Sequence, residues 1–341
     1  MYLFQCDYLE GCHPAIMQKL METNLEQTPG YGEDKYCDEA KALIKQAFSC
    51  PDADVHFLVG GTQTNTTVIA SILAPYEGAL CCDLGHINCH ETGAIESSGH
   101  KVLTVPNVDG RITAEQVEAA VAEQADDEHV VRPGMVYISM STEIGTLYSL
   151  EQLKALYATC KRLGLPLYID GARLGYALMS DECDVTAADL AANCDVFSIG
   201  GTKVGALFGE AVVFTNPALS KRFRYMIKQR GGMLAKGRLL GVQFGMLMQN
   251  NLYFDIAKKA DDQAKVIANA LKAKGIPMLF ESPTNQQFPV LSNAQLAQLS
   301  ADFNFATWAK VDADHTCVRI CTSWATTDAQ MDALLSAIKA L

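Results

Sequence analysis

Two periods of apolar residues run through the chain. Short, almost continuous apolar runs occur at residues 55–59, 79–82, 101–105, 135–139, 166–170, 195–199 and 210–214. Between them, apolar positions recur every three or four residues, the spacing of a helix face. Helices are expected at about 38–48, up to 73, around 89–97, at 113–124 and at 150–163. Thr113 and Gln116 have the spacing of a reciprocal N-terminal cap. Strands that are apolar throughout, rather than alternating, are buried on both faces. Helices between them make the connections of a mostly parallel sheet covered on both sides.

The two ends read differently. Residues 1–35 form an irregular arm and a helix opened by His13-Pro14, with Ile16, Leu20 and Met21 on one face. Gly30-Tyr31-Gly32-Glu33-Asp34 is a turn-rich loop. Beyond about residue 215, helical spacing dominates to about residue 274. A smaller α+β region follows, with strands expected at 278–280, 287–291 and 317–321. No internal repeat or low-complexity tract interrupts the chain.

Composition narrows the function classes. The chain has 341 residues, 49% of them hydrophobic and 19% charged, enough to bury a large core in one or two domains. A net charge of -12 and the lack of a basic run argue against a general nucleic-acid role. No 18-residue apolar run suggests a membrane span, and the first residues lack the pattern of a signal peptide. Twelve scattered cysteines with no CxxC pair point to free thiols and a cytoplasmic location.

Candidate chemistry falls at the ends of expected strands, where parallel sheets bind ligands. After strand 195–199 come two glycines and then Lys203, flanked further on by Gly205 and Gly209. Desolvation there would favour the neutral amine, the nucleophile that adds to an aldehyde; alternatively Lys203 extends into water. Gly60-Gly61-Thr62-Gln63 sits between a strand and a helix start, where amides and the helix dipole suit a phosphate. Asp170 ends a strand and could hold a protonated pyridine nitrogen, or simply cap the next segment and pair with Arg173. Arg173 could clamp a carboxylate. His86 could stack on a flat cofactor or carry a proton, or be an ordinary loop histidine. His90 and Glu91 nearby leave a metal site one ligand short, so no metal is expected. A phosphate cradle, a strand-end aspartate and a glycine-flanked lysine, in this order on one sheet, are what a pyridoxal-phosphate enzyme requires.

Over essentially its whole length the chain resembles the low-specificity threonine aldolases, in the β-eliminating lyase group of fold type I pyridoxal-phosphate enzymes. The residues that carry the likeness are Tyr31-Gly32-Glu33-Asp34, Gly61-Thr62-Gln63-Thr64-Asn65, His86 with Glu91 and Gly93, Asp170-Gly171-Ala172-Arg173, and Ser198 through Lys203. The resemblance implies an α/β fold: a mostly parallel seven-stranded sheet flanked by helices, with a small α+β C-terminal domain. Residues 15–245 would form the large cofactor domain. Residues 1–14 and 246–341 would form the small domain with its N-terminal arm.

It further implies pyridoxal 5'-phosphate bound covalently by Lys203 and held by Gly61, Thr62, His86, Asp170, Arg173 and Thr202. Arg173, Arg319 and Cys6 would hold the substrate carboxylate. Tyr31 would reach into a partner's site in a homodimer or homotetramer. The activity implied is cleavage of L-threonine, L-allo-threonine or a related β-hydroxy amino acid to glycine and an aldehyde. A β-eliminating lyase or aminotransferase is the alternative on the same scaffold. Three departures bear on the substrate. Thr142-Glu143 replaces a threonine-histidine pair, making Glu143 a candidate base beside His86. Gln5-Cys6-Asp7 replaces arginine-serine-aspartate. Gly231-Gly232-Met233-Leu234 lacks an arginine after the methionine.

Overall fold

A computed structural model describes residues 1–124 and 127–341. The chain begins with a two-residue strand, β1 (Tyr2–Leu3), then α1 (Pro14–Glu22), α2 (Lys35–Ala47), β2 (Asp54–Leu58) and α3 (Gly61–Ile72). Next come β3 (Glu77–Cys82), the one-turn α4 (His86–Cys89), β4 (Val102–Val105), β5 (Arg132–Ser139), β6 (Leu167–Asp170), β7 (Val196–Gly200) and β8 (Glu210–Phe214). Seven strands form one sheet in the order β2-β8-β7-β6-β5-β3-β4. Only β8 runs against its neighbours; the rest are parallel. The carboxyl ends of β2, β3, β5, β6 and β7 therefore open on one edge.

The apolar runs explain this sheet. Successive strand residues point to opposite faces. Tyr137, Tyr168, Val196, Val212 and Phe214 pack in the core on one side. Ile138, Ile169, Phe197, Ala211 and Val213 pack in the larger core on the other. Both faces are dry, so neither face needs polar residues. The capping box at Thr113 and Gln116 forms as expected, on the helix Ala114–Glu123.

A third core lies in the C-terminal region, where β9 (Gln286–Gln287), β10 (Val290–Ser292), β12 (Ala306–Lys310) and β13 (His315–Cys321) form a small sheet. β1 pairs in parallel with β11 (Phe303–Asn304), and Phe4 is buried with Phe303, Leu271 and Ile320. The N-terminal arm is thus sewn into the C-terminal region.

Three local expectations are corrected. The helix expected around 89–97 is absent; α4 stops at Cys89, and a 3-10 turn spans Glu96–Ser98. Thr92 and Gly93 have φ of 52° and 70°, which breaks helical hydrogen bonding. The helical stretch after residue 215 divides into Phe223–Gln229, Arg238–Met248 and Leu252–Ala273. Left-handed Asn250 and Asn251 make the second break. Residues 278–280 form only a single bridge, Met278 to Pro289, and the 287–291 run splits into β9 and β10 around Pro289, which has no N–H to give a ladder.

Candidate active site

Lys203 sits on a tight turn between β7 and β8. A Cβ on Gly200 would lie 2.3 Å from the Ala172 carbonyl oxygen, so only glycine lets the ends of β6 and β7 approach this closely. Beyond it, the amides of Gly201 and Thr202 donate to the Gly209 carbonyl at 3.0 and 3.2 Å. Gly209 N–H donates back to the Thr202 hydroxyl at 3.1 Å. The Tyr176 hydroxyl donates to the Lys203 carbonyl at 2.7 Å. The turn is pinned by its backbone, and the half-buried Lys203 Nζ is 5.9 Å from the centre of the Tyr8 ring.

Asp170, at the end of neighbouring β6, is buried, and both of its oxygens accept hydrogen bonds. Its Oδ1 accepts from Ala172 N–H at 2.9 Å. Its Oδ2 accepts from Tyr137 Oη at 2.6 Å and Asn65 Nδ2 at 2.8 Å. Asn65, on α3, donates from the same nitrogen to Glu91 Oε1 at 2.7 Å and accepts from Tyr168 Oη at 2.7 Å. Glu91 Oε1 in turn meets His86 Nδ1 at 2.7 Å. Asp170 and His86 are thus joined through Asn65 and Glu91. Burial alone would lower the His86 pKa. The Glu91 hydrogen bond and the carboxylates of Glu143 and Asp170 outweigh it and raise the pKa above the usual 6.5.

α3 opens on this edge with no side-chain cap at Gly60. A Cβ at Gly60 or Gly61 would meet nothing within 4 Å, and the Thr62 side chain is exposed beside them. The buried Thr64 hydroxyl has no partner among the described residues. Uncapped amides, open space and spare hydroxyls suit a phosphate.

Arg173 is buried and makes a two-pronged bond to Asp7, Nε to Oδ2 at 2.8 Å and Nη2 to Oδ1 at 2.9 Å. Asn285 Nδ2 also donates to Asp7, at 2.9 Å. The Arg173–Asp170 pairing considered from the sequence is therefore not the one formed. Arg319, on β13, donates to Gln286 Oε1 at 3.3 Å and to the Gln5 carbonyl at 3.1 Å, beside the buried Cys6. Its Nε is buried without a partner among the described residues. Glu143 accepts from the Ser139 hydroxyl at 3.1 Å, and its charge is felt at His86. Tyr31 makes its contacts elsewhere: it is exposed, its carbonyl accepts from Arg224, and its ring lies 4.7 Å from Lys228 Nζ. Among the described residues, no group of three His, Cys, Asp or Glu side chains is placed to hold a metal ion.

Sequence reasoning passed over Glu210, at the start of β8. It is buried, with Lys203, Asp170 and Thr202 as neighbours. Burial pushes its carboxyl up to about 8, against the pull of the Lys203 ammonium and with the push of Asp170. Its signal in the sequence is a lone acid opening an otherwise apolar strand. Below pH 4.5 both folded and unfolded chains keep the proton; between 4.5 and about 8 only the unfolded chain releases it, so this group costs stability as pH rises. Glu210→Gln is expected to melt a few degrees above the parent at pH 8, with the gap closing near pH 4, read by calorimetry on cofactor-free protein.

A lysine after β7, an aspartate closing β6 and an open, uncapped start to α3, on a seven-stranded sheet with one antiparallel strand, have the architecture of fold type I pyridoxal-phosphate enzymes. The family description "Beta-eliminating lyase" matches residues 4–294, and the chain belongs to that family. It is 31% identical to a low specificity L-threonine aldolase of Pseudomonas aeruginosa, over 87% of this chain and 86% of the relative. It is 30% identical to one from another Pseudomonas strain, over 99% of this chain and 97% of that one. The solved structure of Leishmania major threonine aldolase superposes with a TM-score of 0.98 at 43% identity, covering 100% of this chain and 99% of that one.

Proposed function

We propose that this chain is a pyridoxal-phosphate-dependent aldehyde-lyase that cleaves L-threonine, L-allo-threonine or a related β-hydroxy amino acid to glycine and an aldehyde. The observation that carries the reading is Lys203 on its pinned turn, one strand from a buried Asp170 whose two oxygens accept three hydrogen bonds. Likeness to threonine aldolases along nearly the whole chain supports the substrate class.

The residues present fit the cofactor. Lys203 would bind its aldehyde covalently, and Asp170 would hold its ring nitrogen protonated. The α3 amides at Gly61 and Thr62, with Thr202, would hold its phosphate, and His86 would stack on its ring. When bound, the cofactor supplies an electron sink for the bond broken at the substrate's α-carbon. The chain decides which bond that is. Arg173, Arg319 and Cys6 would fix the substrate carboxylate, and this would set which α-carbon bond is aligned for cleavage. Two arms of the Arg173 fork are engaged by Asp7, so we assign its Nη1 to the substrate. His86 accepts the β-hydroxyl proton at Nε2, with Glu143 as second candidate. Positioned groups of this kind contribute ~10²–10⁴-fold.

The test is direct. Protein supplied with cofactor absorbs visible light, borohydride bleaches the band, and L-threonine yields acetaldehyde and glycine in equal amounts. Pyruvate formation, or amino transfer to a keto acid, would sink the aldolase reading.

We further assign residues 15–245 to the cofactor domain and the remainder to the small domain. We place the protein in the cytoplasm, as suits twelve free thiols, and as a homodimer or homotetramer. Exposed Tyr8, Leu9, Met17, Met21 and Leu25, on the arm and around α1, support assembly with Tyr31 facing a partner's site. Light scattering will report a monomer if this is wrong. No helix in the described residues is long and apolar enough to cross a membrane.

A further inference from the structure

The one-turn helix α4 leaves His86 beside a carboxylate that is dry, ionisable and otherwise unassigned. Glu91 is 4% exposed, and the hydrogen bonds it accepts all fall on Oε1: His86 Nδ1 and Asn65 Nδ2, both at 2.7 Å. Its Oε2 is buried with no partner among the described residues. An ionised carboxylate only accepts, so His86 must place a proton on Nδ1 to make this bond. That leaves Nε2 as the working nitrogen, whether the ring is neutral and taking a proton or charged and giving one.

Asn65 makes Glu91 able to serve in this way. Two carboxylates, Glu91 and Asp170, share one dry region and need a donor between them to lie so close. The Asn65 amide gives one N–H to each and adds no charge. Its orientation is fixed, because flipping it would set Oδ1 against both carboxylates and the NH2 against Tyr168 Oη, which donates to Oδ1. Asn65 is 1% exposed and Tyr168 is fully buried, so water cannot substitute for either bond.

We propose that Glu91 is a positioning residue that sets the tautomer and proton affinity of His86, and that Asn65 holds the Glu91 carboxylate aimed at it. The role of His86 toward substrate rests on the aldolase reading; the tautomer and the proton affinity do not. The other groups facing His86 are the carboxylates of Glu143, beyond β5, and Asp170, on β6, with the His90 ring 5.5 Å away on the same loop. Removing Glu91's charge leaves Glu143 and Asp170 in place. The His86 pKa is therefore expected to fall without collapsing.

The experiment uses cofactor-free protein labelled with nitrogen-15 in histidine, with His86→Ala to assign the signals. In the parent, the neutral His86 ring is expected to carry its proton on Nδ1, opposite to the tautomer that free imidazole side chains favour in water. A proton on Nε2 overturns the proposal without any variant. In Glu91→Gln, the His86 titration is expected to move down by about one unit. An unmoved titration in a protein that still folds overturns it. In the loaded enzyme, the acidic limb of the kcat/KM profile for L-threonine moves down with it, and loss at the optimum is at least about tenfold. If the parent protein turns over no β-hydroxy amino acid while the two nitrogen-15 results hold, the aldolase reading fails and the dyad stands.

Discussion

Lys203→Ala gives a folded protein that stays colourless in the presence of pyridoxal phosphate and turns over L-threonine at least ~10³-fold more slowly, the scale seen when a covalent nucleophile is removed from a site that otherwise persists. Stability changes little, because among the described residues the half-buried side chain makes no hydrogen bond, and the Tyr176 contact is to its backbone carbonyl. The measurements are the visible spectrum with and without borohydride, the rate of acetaldehyde release, and the melting temperature of the cofactor-free protein. A variant that keeps the reducible visible band would show that the cofactor is held by another amine. The turn geometry sharpens the claim: with Gly201, Thr202 and Gly209 tied together by three hydrogen bonds, the variant loses the amine but keeps the loop.

Asp7→Ala is expected to cost about 3–5 kcal/mol of stability, the range for stranding one partner of a buried ion pair. Arg173 would be left charged in a dry site without its carboxylate partner, beside the neutral Asn285 amide. Burial by itself would raise the Asp7 carboxyl. The Arg173 guanidinium, helped by Lys203 and the Asn285 amide, overrides this and holds it below the usual carboxylate value of 3.8. A group lowered by folding stabilises above its unfolded pKa, and that contribution fades as pH falls below about 3.8 through the folded value. Urea unfolding of parent and variant should therefore differ most at neutral pH and converge in acid. Equal midpoints at pH 7 would mean that the pair contributes nothing net. Activity also falls, since Arg173 loses the partner that orients its fork.

The sheet was legible because burial on both faces leaves no room for anything but apolar runs. The strand expected at 55–59 is Asp54–Leu58, and that at 166–170 is Leu167–Asp170. What failed was set by backbone conformation at single residues, such as Thr92 and Asn250, whose positive φ no apolar pattern announces. The site divides in the same way. Lys203, Asp170 and the Gly61-Thr62 turn stand out because each breaks an apolar strand or opens a helix. The Asn65 bridge does not, because Tyr168, Asp170 and Asn65 meet across more than 100 positions of chain. Resemblance supplied Asn65 and Glu91 as motif residues without saying what they touch. Nor could spacing reveal that Arg173 pairs with Asp7 rather than with Asp170 three residues away.

The same Asp7 has a consequence for synthesis. It is made well before its partners, which lie 166 positions later at Arg173 and 278 positions later at Asn285. At ~5–20 residues per second, its carboxylate waits for tens of seconds before the last partner exists. The ion pair can close once Arg173 is made, but through the whole interval the arm cannot add β1 to the β11 edge. The nascent large sheet can form while the carboxylate clamp stays open. The clamp is completed only once Asn285 has been made, after every strand of the large sheet, so the arm is locked down on a sheet that already exists.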